Sequence, residues 1–292
     1  MGSPTASHDA PHRIMGSLYV VGTPIGNLED ISLRALRVLR SVALIAAEDT
    51  RKTARLLSHY DIHTPLTSYF EHNKLGKLEA ILGQLAQDND VALVSEAGMP
   101  GLSDPGYELV RAVLAAGWPV VPLPGACAAI TALVVSGLPT DSFLFLGFLP
   151  RRPAARRRAL EQVRQASCTL LVYEAPHRLL ACLADMEEIL GERPVAVARE
   201  LTKLHEEFFR GTLGQARQHF AAGVRGEITL VIGGSSGEPG GWDEVRVRGR
   251  LQDLLGQGLG HKQAAQQVAA ESGWPRREVY RLGRDPKGLG DL

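Results

Sequence analysis

Three strand-like runs in the first half of the chain each break off into a loop of glycine, proline and small residues: "LYVVGTPIGN", "VALVSEAGMPGLSDPG" and "VVPLPGACAA". Short apolar runs that stop in this way and lead into a helical pattern are the punctuation of an α/β sheet. Ligands of open α/β sheets bind outside the carboxyl ends of the strands. Glycine there lets a ligand lie against backbone, and proline fixes the loop's shape. Three such loops on one edge predict a ligand cleft. They do not have the pattern of a phosphate cradle. Gly22 and Gly26 lack the spacing of the dinucleotide fingerprint, Asn27 and Leu28 stand where a nucleotide-triphosphate loop ends in Lys and Ser or Thr, and Pro24 removes a backbone donor.

From residue 17 the alternation continues, with strands predicted over 17–21, 42–46, 66–69, 91–94, 120–122 and 143–148, and helices over 33–40, 51–59, 75–87 and 107–116. "LGFLPRRPAARRRALEQ" interrupts the pattern with prolines and a basic run, so 149–153 is read as the hinge into a second α/β unit with strands at 169–173, 195–198, 206–210 and 228–232. "GGSSGEPGGWDE" reads as a flexible linker, and 244–285 as helical, with "KQAAQQVAAES" stopped by Gly273 and a further helix starting near Pro275. The expected organisation is a flexible leader over 1–14 with Met15 as a candidate natural start, an α/β domain over 15–149, a second over 150–234, a linker over 235–243 and a small helical C-terminal domain over 244–292.

With 32 basic and 32 acidic side chains the chain is neutral, so no global charge points to nucleic acid, and any such contact must be local. The apolar stretches are of strand or single-helix length, such as 126–135, which predicts no membrane span, and 1–14 has no apolar centre of the kind a secretory signal needs. Three scattered cysteines, Cys127, Cys168 and Cys182, suit a reduced cytoplasmic protein. The nine histidines form neither H-x-H nor H-E-x-x-H, and no metal is expected. Arg151, Arg152, Arg156, Arg157 and Arg158 at the hinge either neutralise RNA phosphates or form a solvated helix face. Lys262, Arg276, Arg277 and Arg281 in the tail, with few aromatics nearby, suit phosphate tracking or a dimer prop rather than base stacking.

The loops also carry a resemblance. "GTPIGNLEDIS", "EDTR", "VSEAGMPGLSDPGYELV", "PLPGACAAITAL", "YEAPHRL", "ARELTKLHEEFFRGTL" and "GEITLVI" follow in colinear order from about residue 17 to 234. Together they resemble one branch of the tetrapyrrole-methylase-like methyltransferases, the one that modifies small-subunit (16S) ribosomal RNA at a cytidine 2'-oxygen. The resemblance implies two α/β domains of the tetrapyrrole-methylase type with a cofactor cleft between them. It further implies S-adenosylmethionine as cofactor, a homodimer, and 16S ribosomal RNA within the assembled 30S subunit as substrate, with neither DNA nor a membrane as partner. Methylation of a porphyrinoid or other small molecule on the same fold is the alternative; the basic hinge and tail, which such an enzyme does not require, discriminate against it.

S-adenosylmethionine carries no phosphate, so a loop without a phosphate cradle suits it. Its sulfonium prefers carbonyl oxygens, and its carboxylate prefers the N–H groups of a helix start, predicted near 126–128. By resemblance, cofactor contact falls to Pro24, Glu96, Ala97, Gly98, Met99, Cys127 and Ala128, with Tyr173, Leu201 and Ile228 from the second domain. Glu96 and Met99 stand where the family more often has Asp and Thr. Methyl transfer to a ribose hydroxyl gains from a nearby base, and three segments bring candidates to strand ends: "EDTRKT", "YFEHNK" and "ELTKLHEE". Glu48, Asp49 and Lys203 are the candidates for moving the proton; a helix cap for the first two, and a structural pairing of Lys203 with Glu206, remain open alternatives. Arg51 suits a phosphate held in bidentate fashion. His72, Arg151, Arg152, Arg156, His177 and Arg178 are the further candidate RNA contacts.

Overall fold

The computed structural model describes residues 16–70, 74–235, 242 and 244–283; the expected leader, most of the linker and His72 lie outside the described residues. The first half runs β1 (Leu18–Val21), α1 (Leu33–Ser41), β2 (Leu44–Ala47), α2 (Thr50–His59), β3 (Leu66–Ser68), α3 (Lys74–Ala86), β4 (Val91–Val94), α4 (Tyr107–Ala115), β5 (Val120–Leu123) and α5 (Ala128–Ser136). Its sheet has the order β3-β2-β4-β1-β5, and every pairing is parallel. A parallel strand covered on both faces has no polar side to show, and all four residues of β4 are buried. One face packs on Ala35, Val38 and Leu39 of α1 and Leu57 of α2. The other packs on Ile81 and Leu85 of α3 and Leu109 and Val113 of α4. Because β4, β1 and β5 are parallel neighbours, the three glycine- and proline-rich loops leave the same edge side by side.

The second half contains β6 (Phe143–Phe148), α6 (Pro153–Gln162), β7 (Thr169–Glu174), α7 (Leu179–Leu190), β8 (Pro194–Arg199), β9 (Glu207–Thr212), α8 (Leu213–His219) and β10 (Ile228–Ile232). They form a sheet of order β6-β7-β10-β8-β9, parallel between β6 and β7 and antiparallel elsewhere. The strand at 143–148, read from sequence as the last of the first unit, is hydrogen-bonded into this second sheet. The proline-rich stretch after it is an ordinary strand-to-helix turn, with Pro153 in the first turn of α6 where its missing N–H costs nothing. Helices α6, α7 and α8 bury Leu160, Leu183, Met186 and Leu213 against one face. The other face is covered by α5, whose Ala129, Ala132 and Leu133 meet Leu171, Ala196 and Val231. Helix α5 follows the first sheet in sequence yet packs on the second.

The tail forms α9 (Glu244–Gly256), α10 (His261–Ser272) and α11 (Arg276–Leu282) around a core of its own, built on Val247, Leu251, Val268 and Val279. Gly273 ends α10 in the left-handed region, at φ +73°. Among the described residues no helix is long and apolar enough to cross a membrane.

Candidate active site

Backbone contacts hold the three loops together. Thr23 N–H donates to Gly98 O at 2.9 Å and Gly98 N–H donates to Thr23 O at 3.0 Å, which staples the β1 loop to the β4 loop. A Cβ on Gly22 would lie 2.7 Å from the Gly125 Cα, so the β1 and β5 loops touch backbone to backbone where no side chain fits. Gly98 sits at φ +86°, a conformation that L side chains rarely adopt. Three non-glycine residues, Ser103, Glu200 and Thr202, also have positive φ in the loops around this point. Strain of this kind, of order 1–3 kcal/mol per residue, collects where a loop's shape is set by its use.

Between these loops and the ends of β7 and β10 lies a cavity of 380 Å³. Of the residues assigned to the cofactor by resemblance, Glu96, Ala97, Gly98, Met99, Cys127, Ala128, Tyr173, Leu201 and Ile228 all line it. Pro24 does not; it lines a neighbouring pocket of 200 Å³ together with Lys52 and Arg55. Glu96 is in the wall of both. The start of α5 opens onto the larger cavity, and the side chain of its cap residue Cys127 does not cap the helix's own N–H groups. The Tyr173 hydroxyl accepts the Ala129 N–H at 3.1 Å, so one free donor of that helix start is already taken. Burial of the Tyr173 ring holds its phenol well above the usual range, neutral at any working pH.

Five acidic residues line the cavity: Glu48, Glu96 and Asp104 from the loops of the first sheet, and Glu174 and Glu227 beside the ends of β7 and β10. Glu48 accepts the Glu96 N–H at 3.2 Å, and the Lys52 ammonium meets the Glu96 carboxylate. Burial and the charge of Glu48 push Asp104 up to about 7, with Glu96 adding to the rise and a hydrogen bond from Ser95 opposing it. Asp104 was not among the candidates read from sequence, although it lies in the quoted loop "GMPGLSDPG". The available signal was a carboxylate in a turn after a buried strand, facing the acid at the end of β2; strand order alone brings the two together.

Other candidates have different surroundings. Asp49 is the N-cap of α2, accepting the Arg51 N–H at 2.9 Å and the Lys52 N–H at 3.3 Å. Those backbone donors, Arg51 first, hold its carboxyl below the usual range, which suits a cap and not a proton acceptor near neutral pH. Lys203 pairs with Glu200 at 2.9 Å and Glu227 at 3.1 Å, not with Glu206. Burial works against its charge, but these partners win and raise its pKa, so it holds its proton at the junction where Gly26 lies against its stem. Glu206 instead accepts the Thr202 N–H at 2.7 Å.

Arg156 is a correction. It is 5 % exposed, and its Nε and Nη2 reach Asp185 Oδ2 at 2.7 and 2.6 Å. Arg156 and Leu160 share the inward face of α6, and a charge count cannot see which way a helix turns. Arg157 is engaged with Asp185 at 2.9 Å and with Glu188. Arg178 is also used internally: it donates to Leu149 O at 2.8 Å and Pro150 O at 3.2 Å and pairs with the buried Glu174 at 3.2 Å. Arg151, Arg152 and His177 are exposed and apart from the cavity walls. The Arg51 side chain is 89 % exposed, with a 3.5 Å contact to Asp49.

A parallel sheet and a mixed sheet enclosing a loop-lined cavity form a two-lobed methylase fold. The methyltransferase CobJ superposes with a TM-score of 0.59 at 19% identity, covering 76% of this chain and 95% of that one. A uroporphyrin-III C-methyl transferase from Thermus thermophilus, solved with S-adenyl homocysteine, gives 0.54 at 20% identity, covering 75% and 97%. Residues 17–217 match the family model of the Tetrapyrrole (Corrin/Porphyrin) Methylases, and the chain belongs to that family. It is 48% identical over 273 residues to the Ribosomal RNA small subunit methyltransferase I of Halalkalibacterium halodurans, covering 91% of this chain and 94% of that one. A relative of the same name from Synechocystis is 49% identical over 271 residues, covering 92% and 97%. That of Thermotoga maritima is 49% identical over 221 residues, which is 99% of its length and 75% of this chain.

Proposed function

We propose that this chain transfers a methyl group from S-adenosylmethionine to the 2'-oxygen of a cytidine ribose in small-subunit (16S) ribosomal RNA. The observation that carries the reading is the joint one: relatives named for small-subunit ribosomal RNA methylation extend over nine-tenths of the chain, and the glycine- and proline-rich loops of this sequence meet in one cavity. The residues present fit the cofactor. The 380 Å³ volume is in the range of small-molecule sites, about 300–1,000 Å³. Ile25, Leu102, Leu201 and Ile228 supply apolar wall for a purine. The start of α5 suits a carboxylate, and the acids of the lining suit a cation.

S-adenosylmethionine supplies a methyl carbon on a cationic sulfur, which departs as a neutral thioether. The chain's own part is to hold the acceptor oxygen in line and take its proton. Burial and the charge of Glu48 raise Asp104 to about 7, so near neutral pH it moves between its acid and carboxylate forms. Its carboxylate accepts the hydroxyl proton, a role worth about 10²–10⁴ in rate. Asp49 then serves as a helix cap and Lys203 as the counter-ion of Glu200 and Glu227. Homodimerisation is supported by Ile130, Val134 and Val135 of α5 and Phe143 and Leu144 of the edge strand β6, large apolar side chains left exposed. A ribosomal substrate places the reaction in the cytoplasm.

The test is transfer of labelled methyl to purified small ribosomal subunits, to naked 16S RNA and to a porphyrinoid, followed by nucleoside analysis. Label in 2'-O-methylcytidine, with subunits outperforming naked RNA, is the expected result. Label on a base, or on the porphyrinoid alone, overturns it.

A further inference from the structure

The 200 Å³ pocket beside the main cavity contributes nothing to the account so far. Its walls are Thr23, Pro24 and Leu28 from the β1 loop, Lys52, Thr53, Arg55 and Leu56 from α2, and Ser95 and Glu96 from the β4 loop. Lys52 and Arg55 are three residues apart, so α2 presents both cations on one side. The pocket's one acid, Glu96, is engaged by Lys52, and Arg55 has no ion pair among the described residues. The pocket therefore carries net positive charge over a floor of small polar and apolar groups. Glu96 is also the wall it shares with the cavity where the methyl group would be delivered.

We propose that this pocket is a subsite for one backbone phosphate of the acceptor RNA, held by Lys52 and Arg55 next to the ribose that is methylated. The proposal rests on the RNA methyltransferase reading and deepens it. A ribose that presents its 2'-oxygen to the larger cavity has its own phosphodiesters one sugar's width away, and the adjoining pocket, which shares Glu96 with that cavity, is a cationic space beside it. Leu28, Leu56 and Pro24 give the sugar an apolar surface, while the guanidinium of Arg55 offers planar donors to the phosphate oxygens. The Lys52 contact with Glu96 is the resting arrangement: an arriving phosphate competes with that carboxylate for the same ammonium. Arg51, the residue that the sequence alone favours for this task, lines neither cavity.

The experiment uses the full-length protein with Lys52→Gln, Arg55→Gln and Arg55→Lys, and Arg158→Gln as an exposed hinge control. Binding of a fluorescently labelled single-stranded RNA oligonucleotide containing the cytidine site is read by anisotropy over a salt series. Affinity for S-adenosylmethionine is read separately by calorimetry. Each glutamine variant is expected to weaken RNA binding about tenfold and to lower the slope of log affinity against log salt by about one. Cofactor affinity should stay within about twofold, Arg55→Lys should recover part of the loss, and Arg158→Gln should match the unaltered protein. Unchanged RNA affinity and slope in both glutamine variants would overturn the proposal. So would a parallel loss of cofactor affinity, which would make the pocket part of the cofactor site. If the unaltered protein binds RNA with the expected slope change on substitution but never methylates it, the subsite stands and the reaction assigned above falls.

Discussion

Two basic segments look alike in this sequence and end in opposite states. The run at 151–158 has the larger charge, yet its central members are used up inside the protein: Arg156 and Arg157 grip Asp185 and Glu188, and nearby Arg178 ties the start of α7 to the backbone that follows β6. The shorter run on α2 keeps its cations at the mouth of a pocket, with Arg55 unpaired among the described residues. The difference lies in what each helix packs against. Helix α6 lies on α7, which brings carboxylates to it; α2 caps a strand end beside the site. Density of charge along a chain therefore says little about availability, which depends on the acids that folding brings within reach.

The largest test of this contrast is Asp185→Ala. It strands the buried Arg156 guanidinium without a partner, and should cost about 3–5 kcal/mol of stability in urea or thermal unfolding. Methyl transfer per folded molecule should be little changed. If stability barely moves, the hinge arginines are not structural and return as RNA contacts.

On the cavity side, Asp104→Asn should lower methyl transfer about 10²-fold and abolish the rise of rate through pH 7. It also has a signature in stability. The folded-state value, about 7, lies above the ordinary 3.8, so the folded protein keeps a proton that the unfolded chain releases. Stability from this group is complete below about pH 4 and is lost as pH rises to about 7. Urea titrations of the asparagine variant across that window should be flatter than those of the unaltered protein.

Gly98→Val comes next. With φ at +86° and a Cβ 3.4 Å from Ala126 O, the side chain would distort the loop that carries Glu96 and Met99. Cofactor affinity should fall by about tenfold or more, for a backbone cost of about 1–2 kcal/mol. The smallest effect is expected from Arg51→Ala, whose exposed pair with Asp49 is worth about 0–1 kcal/mol. It should shift unfolding by no more than that and leave cofactor binding intact.

The sheet order could not be read from the sequence, but the strands largely could. The runs 91–94 and 228–232 are buried on every residue and flanked by loop signals, and they form β4 and β10 with those bounds. Strand 143–148 was legible as a strand, but the prolines after it suggested a boundary that the pairing with β7 does not respect. The loops of the site were legible because their glycines and prolines are dictated locally. Asp104 was not, because its environment depends on Glu48, more than fifty residues away in sequence and across a strand order that no local pattern encodes. Arg156 failed for the same reason: its charge is local and its partner, Asp185, is not.

The central claim is that the loop-lined cavity between the sheets holds S-adenosylmethionine and that the basic run at 151–158 does not take part. The measurement that tests it most directly is calorimetric titration of S-adenosylmethionine into the unaltered protein, Gly98→Val and Arg157→Gln. The account predicts binding to the first and third with equal affinity and a loss of about tenfold or more in the second. Equal affinity for all three, or a loss confined to Arg157→Gln, would contradict it.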